Sequence, residues 1–357
     1  MTPLAALLSQ RIEADGPMTL ADYMAECLLH PRHGYYATRD PFGRAGDFIT
    51  APEISQMFGE LLGLWLAQVW LDQGSRSRIV LAEIGPGRGT LMADVLRVIR
   101  KVPGMADAAE VHLVEASAAL RARQRETLKS VEVHWHDKLS DLPEGPLYLL
   151  ANEFFDALPI HQFERAASGW SERQVGLREG RLAPGLSAPA PLAALEHRLP
   201  DTQPGQIVEL CPALPQIAGE IGARLAQYGG AALIIDYGDW RSLGDTFQAL
   251  TDHRPVSPFA EPGEADLTAH VDFEALSDAL SGAGARVSPM VPQGVFLERL
   301  GIAQRAGALA RNLSGAALDN HIAAHRRLTH PEEMGQLFKV IAATAADAPP
   351  LPALDPA

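Results

Sequence analysis

The run Ile79 to Ile84 is apolar except for Glu83, and it breaks into glycines spaced two apart, Gly85, Gly87 and Gly89. Beyond them Ala93, Val95, Leu96 and Val98 resume an apolar pattern at helical spacing. A short apolar run bounded by glycine reads as a buried strand, and a 3.6-residue period reads as a helix. Strand, tight turn and helix together open a nucleotide-binding α/β unit. Glycine permits the turn and lets a ligand approach the backbone, while the helix start favours polar or anionic groups. This stretch therefore predicts a parallel sheet that holds its ligand at one end of the strands.

The spacing selects among ligands. Thr90 stands where a dinucleotide fingerprint has its third glycine, and no Gly-Lys-Ser/Thr follows, so neither a dinucleotide loop nor a P-loop fits. Glu83, two residues before Gly85, completes the pattern used for S-adenosylmethionine (SAM) in methyltransferases. SAM carries no phosphate, so such a loop needs close approach rather than anion capture.

Later strands point to the same place. Val111 to Val114 ends on Glu115, a position suited to the two ribose hydroxyls of an adenosyl group. Val131 to Trp135 is followed by His136 and Asp137, where adenine contacts would fall. Leu147 to Ala151 is almost wholly apolar, hence central and parallel, and runs into Asn152-Glu153-Phe154-Phe155-Asp156. A fifth buried strand, from Ala231, carries Asp236, and Gln336 to Thr344 makes the last. In open α/β sheets ligands sit beyond the C-terminal strand ends. Four successive strands ending in Glu83, Glu115, Asp137 and Asn152-Glu153 predict one site there.

At 357 residues the chain is long for one domain, and its 47% hydrophobic content is enough for a substantial core. The net charge of −14 argues against nucleic acid as the main partner and is compatible with a basic substrate. Cys27 and Cys211 lack metal-ligand spacing, and no metal is expected. No apolar run approaches the length of a membrane span, so no membrane insertion is expected. The segment Pro3 to Leu8 is too short for a signal sequence and reads as part of a first helix, which predicts a cytoplasmic protein.

The predicted organisation is a helical extension over residues 1–76, a core over 77–345 and a disordered proline-rich tail over 346–357. In the extension, the loop Gly46 to Ser55 carries Asp47 and Glu53 among apolar residues, as an ordered lid would. The core contains insertions at about 160–205, a hairpin around Gly169 followed by a Pro/Ala-rich loop from Ala183 to Leu192, and at about 245–335. Asp266 and His270 lie in a loop of the second insertion.

Several longer words are specific: His-Gly-Tyr-Tyr, Gly-Asp-Phe-Ile-Thr-Ala-Pro-Glu-Ile-Ser, Glu-Ile-Gly-Pro-Gly-Arg-Gly-Thr-Leu-Met, Ala-Asn-Glu-Phe-Phe-Asp-Ala-Leu-Pro, Ile-Asp-Tyr-Gly, Glu-Pro-Gly-Glu-Ala-Asp-Leu-Thr-Ala-His-Val-Asp-Phe and Gly-Gln-Leu-Phe-Lys-Val. In this order, from about Leu7 to Ala343, the chain resembles the MidA-like family of SAM-dependent methyltransferases. That family includes the mitochondrial assembly factor of respiratory complex I. The resemblance implies a seven-strand Rossmann-like methyltransferase fold, SAM as cofactor, and N-methylation of an arginine in a complex I subunit.

An arginine nucleophile is charged and delocalised, so carboxylates that grip the guanidinium would orient one nitrogen and localise charge on the others. The candidate catalytic residues are accordingly Asn152, Glu153 and Asp156. Cofactor binding falls to Glu83, Gly85, Gly87, Gly89, Glu115, Asp137 and Asn152, and an acidic substrate rim to Asp47, Glu53, Asp236 and Asp266 with His270. Two other functions stay open at this point: methylation of a small molecule, and a SAM-binding assembly factor without turnover.

Overall fold

The computed structural model describes residues 2–38, 50–251 and 254–355. The chain divides into two compact units. One, here the sheet unit, comprises Ile49–Phe155, Pro215–Trp240 and Phe273–Ala357; the other comprises Met1–Phe48, Asp156–Leu214 and Arg241–Asp272.

The sheet unit is built on β1 (Ile79–Ile84), β2 (Ala109–Val114), β3 (Val133–His136), β4 (Leu147–Asn152), β5 (Gly230–Asp239), β6 (Ala285–Val287) and β7 (Phe338–Ala345). Among the described residues these lie in the order 3-2-1-4-5-7-6. Strands β1 to β5 pair in parallel, and β7 runs antiparallel to both of its neighbours. Every residue of β1 and β4 is buried, as the near-continuous apolar runs of central parallel strands require. The reversal of strand order lies beside β1, and the glycine turn leaves β1 there. Ligands bind at such switch points.

Four helices of this unit matter for the site: α1 (Ala51–Ile54), α2 (Gln56–Asp72), α3 (Thr90–Ile99) and α4 (Ala118–Thr127). Residues 49–76 belong with the sheet rather than with the N-terminal extension. The reason is α2, whose Phe58, Leu61, Leu62, Trp65, Leu66, Val69 and Trp70 share one apolar core with Val95, Ile99, Leu81 and Leu233. A helix apolar on so much of its surface must be covered. Residues 273–335 of the second expected insertion likewise fall in the sheet unit.

The tail differs from expectation over its described part. Leu351 and Leu354 are buried in the same core, Trp65 Nε1 donates to Pro352 O at 2.9 Å, and Arg286 pairs with Asp355 at 2.6 Å. Proline content suggested disorder, yet two leucines and one carboxylate find fixed partners. No helix among the described residues is long and apolar enough to cross a membrane.

The other unit holds an antiparallel sheet of Met18–Thr19, His161–Ala166, Gly169–Arg178, Arg181–Leu186 and Ile207–Leu210. The hairpin around Gly169 is present. Part of the Pro/Ala-rich stretch is strand rather than loop, because Arg181–Leu186 pairs with Arg173 to Arg178. Its Pro184 is tolerated on an edge strand, where a missing N–H leaves no partner unpaired.

A histidine cluster bridges β2 and β3. His112 Nδ1 and His136 Nε2 share a hydrogen bond of 3.0 Å, and the His112 and His134 rings stack with centroids 5.0 Å apart. Burial first, then His136 and His134, push His112 down from 6.5 to about 4. The unfolded chain therefore takes up protons near pH 6.5 that the folded chain refuses until about pH 4. Stability from this site is whole above pH 6.5 and is lost as pH falls towards 4. We expect urea unfolding to show a loss of roughly 2 kcal/mol from this source between about pH 7.5 and 4.5. A His112→Phe variant, weaker at neutral pH, should lose correspondingly less on acidification.

Candidate active site

The turn after β1 is made by backbone that only glycine adopts cheaply: Gly85, Gly87 and Gly89 have φ of +63°, +51° and +81°. Gly89 is the N-cap of α3 and supplies no side-chain cap. The first amides of α3 therefore face the turn without a side-chain partner from the cap, as a ligand-binding helix start requires. Glu83 is buried beneath this helix, accepts the Met92 N–H, and is raised well above the ordinary carboxylate range by desolvation.

Glu115, just beyond β2, is fixed in place. Its Oε1 accepts the Ser117 N–H at 2.7 Å and its Oε2 accepts Gln124 Nε2 at 3.3 Å. The same Gln124 amide donates to Gly87 O at 2.8 Å, and its carbonyl accepts Trp135 Nε1 at 2.9 Å. Gln124 on α4 thus ties the glycine turn to Glu115 and to β3. Sequence reasoning missed it. The available signal was a polar residue one helical turn after Leu120, on the buried face of an otherwise charged helix. Asp137 is exposed and paired with Arg121 at 2.6 Å, while the Arg121 Nε donates to Glu115 O.

At the end of β4, Asn152 and Glu153 stand next to each other and share a hydrogen bond. Asn152 Nδ2 and the Ala51 N–H both donate to Glu153 Oε1, at 3.0 and 3.1 Å. Asn152 is buried, and its Oδ1 has no hydrogen-bond partner among the described residues. An unsatisfied buried acceptor beside a carboxylate suits a cationic ligand. Two residues after Ala51, Glu53 Oε1 accepts the Thr90 hydroxyl at 2.5 Å. Helix α1 therefore reaches the C-terminal ends of both β1 and β4, and Glu53 holds the start of α3 rather than standing open for a substrate. Asp47 and the rest of the expected lid before Thr50 lie outside the described residues.

Asp236, expected on the substrate rim, is fully buried. Its Oδ2 accepts the N–H groups of Phe154 and Phe155 at 3.1 and 2.9 Å, and its Oδ1 accepts the Tyr237 N–H at 2.9 Å. Both of its oxygens accept backbone N–H groups. Asp156, Asp266 and His270 belong to the other unit. There Asp156 O accepts the Ala269 N–H at 3.0 Å, Asp266 Oδ1 accepts the Tyr36 hydroxyl at 3.1 Å, and the His270 N–H donates to Thr246 Oγ1 at 2.8 Å.

A family model described as a putative S-adenosyl-L-methionine-dependent methyltransferase matches residues 61–291, more than half of the chain. The chain belongs to that methyltransferase family. Human protein arginine methyltransferase NDUFAF7, a mitochondrial protein, is 36% identical over 372 residues, covering 96% of this chain and 83% of the relative. Its Drosophila melanogaster homologue is 37% identical, covering 95% and 84%. A solved methyltransferase-like structure from Burkholderia thailandensis, bound to S-adenosyl-homocysteine, superposes with a TM-score of 0.85 at 33% identity, over 98% of this chain and 94% of the other.

This methyltransferase uses SAM, and its Rossmann-like sheet is the one the glycine turn predicted. The residues suit the cofactor: a turn with glycine at every second position, an anchored Glu115 just beyond β2, and the unsatisfied Asn152 Oδ1. The expected cytoplasmic location does not stand, because the curated relatives are mitochondrial proteins.

Proposed function

We propose that this methyltransferase modifies an arginine side chain of a protein, and that a complex I subunit is the acceptor to test first. The observation that carries the reading is Glu153, a carboxylate anchored by Asn152 and Ala51 at the end of a central strand. The relatives named as protein arginine methyltransferases support it.

Methyl transfer from a sulfonium is an in-line displacement, so alignment of the nucleophile matters most. SAM supplies the electrophilic methyl group. Glu153 grips the guanidinium and holds one nitrogen towards it, keeping positive charge on the other two. Asn152 fixes the carboxylate and offers its Oδ1 as a further acceptor for a cationic group. The reacting nitrogen would gain the methyl group as the sulfonium C–S bond breaks with S-adenosyl-homocysteine as leaving group, and would lose one proton to solvent.

The test is incubation of the purified protein with SAM and with two acceptor sets, complex I subunits and matched peptides carrying arginine or lysine. Mass spectrometry should find methylarginine in the complex I subunits and the arginine peptides, and no methylation of the lysine peptides. Methylation of a small molecule instead, or SAM binding with no turnover on any acceptor, would overturn the proposal.

A further inference from the structure

From the contacts of β5 we infer that Asp236 is a positioning residue for methyl transfer, holding the turn that presents Glu153; this rests on the reading of Glu153 as the carboxylate that binds the acceptor. Glu153 has φ +52°, in the left-handed region that residues other than glycine occupy only at a cost. A glycine would fit without strain, but it would bring no carboxylate. The turn must therefore be held from outside.

Two neighbouring residues of β5 do this. Ile235 O accepts the Glu153 N–H at 2.9 Å, and Asp236 takes the next two N–H groups on one oxygen and the Tyr237 N–H on the other. Residues 153–155 thus lose their freedom to relax into a commoner conformation. No helix begins at this turn, so these bonds serve the turn itself and not a helix end. The latch is itself fixed. Asp236 lies opposite Lys339 on β7, and Lys339 Nζ donates to Gly238 O at 2.9 Å and to Gln336 O at 2.8 Å, pinning the end of β5. Asp236 is fully buried, and the three N–H groups it accepts all belong to the backbone.

A carboxylate is needed because both oxygens accept. An amide replaces one acceptor with a donor, which cannot receive an N–H. In Asp236→Asn we expect SAM affinity and the KM for SAM to stay within about twofold. The kcat should fall roughly tenfold, the scale of one lost charge-assisted bond. The deciding measurement is a double-mutant cycle with Glu153→Gln. If Asp236 works through Glu153, the double variant turns over no more slowly than Glu153→Gln alone. Effects that multiply would overturn the inference while leaving the role of Glu153 intact. Near-native turnover by Glu153→Gln would instead overturn the reading beneath it. If Asp236→Asn does not fold, the same substitution in a Glu153→Gly background decides the matter, because glycine removes the strain. Recovery of a folded protein there, by circular dichroism and thermal melting, supports the latch. Equal loss in both backgrounds overturns it.

Discussion

Replacing Glu153 by glutamine should leave SAM binding close to native and slow methyl transfer by roughly a hundredfold or more, the scale of removing one charge-stabilising group from a preorganised site. The substitution is nearly isosteric. The amide of Glu153→Gln keeps a carbonyl oxygen for the Asn152 and Ala51 donors, so the local geometry survives. The negative charge does not. A guanidinium acceptor depends on that charge for both orientation and charge localisation, whereas a neutral nucleophile would depend on it far less. With the glycine turn and Glu115 proposed to hold the cofactor, titration calorimetry with SAM should be almost unchanged. Single-turnover assays with an arginine acceptor should show the loss in the chemical step. Turnover close to wild type would sink the assigned role and much of the case for arginine.

The second large effect is expected at Gly87. Valine there meets two obstacles. With φ at +51° the position is costly for any side chain and worst for a β-branched one. Its carbonyl is also tied to Gln124 at 2.8 Å, so the turn cannot relax without disturbing Glu115 through the same amide. We expect Gly87→Val to weaken SAM binding by roughly a hundredfold or more, a loss of about 2.7 kcal/mol. Gly180 provides the control, since it has φ of +72° in a hairpin of the other unit and open space where a side chain would begin. Gly180→Val carries a similar backbone penalty without the binding loss. Unchanged SAM affinity in a folded Gly87→Val protein would remove the turn from the site.

Local chemistry was legible in the amino-acid sequence alone. An apolar run, glycines at two-residue spacing and an apolar helix pattern are consequences of neighbours in the chain, and β1, the turn and α3 follow from them. The polar residues that end successive parallel strands were legible for the same reason, because a strand's last residue must face the ligand end of the sheet. Asn152, Glu153 and Glu115 became candidates that way.

Contacts between distant residues were not legible. Asp236 reads as one more strand-end acid, and only the pairing of β4 with β5 makes it the acceptor for the amides of Phe154 and Phe155, more than eighty residues away in the chain. Glu53 became the acceptor for the Thr90 hydroxyl through the placement of α1 over the strand ends. Gln124 takes its role only where the turn and Trp135 meet it. Leu351 and Leu354 were outweighed by their prolines until a surface was there to bury them. The sequence alone determined the sheet, the glycine turn and the cofactor, because propensity, periodicity and motif spacing act over a few residues. Tertiary structure alone decided which carboxylates serve backbone and which are left for chemistry, because a buried carboxylate takes its role from the donors that packing brings to it.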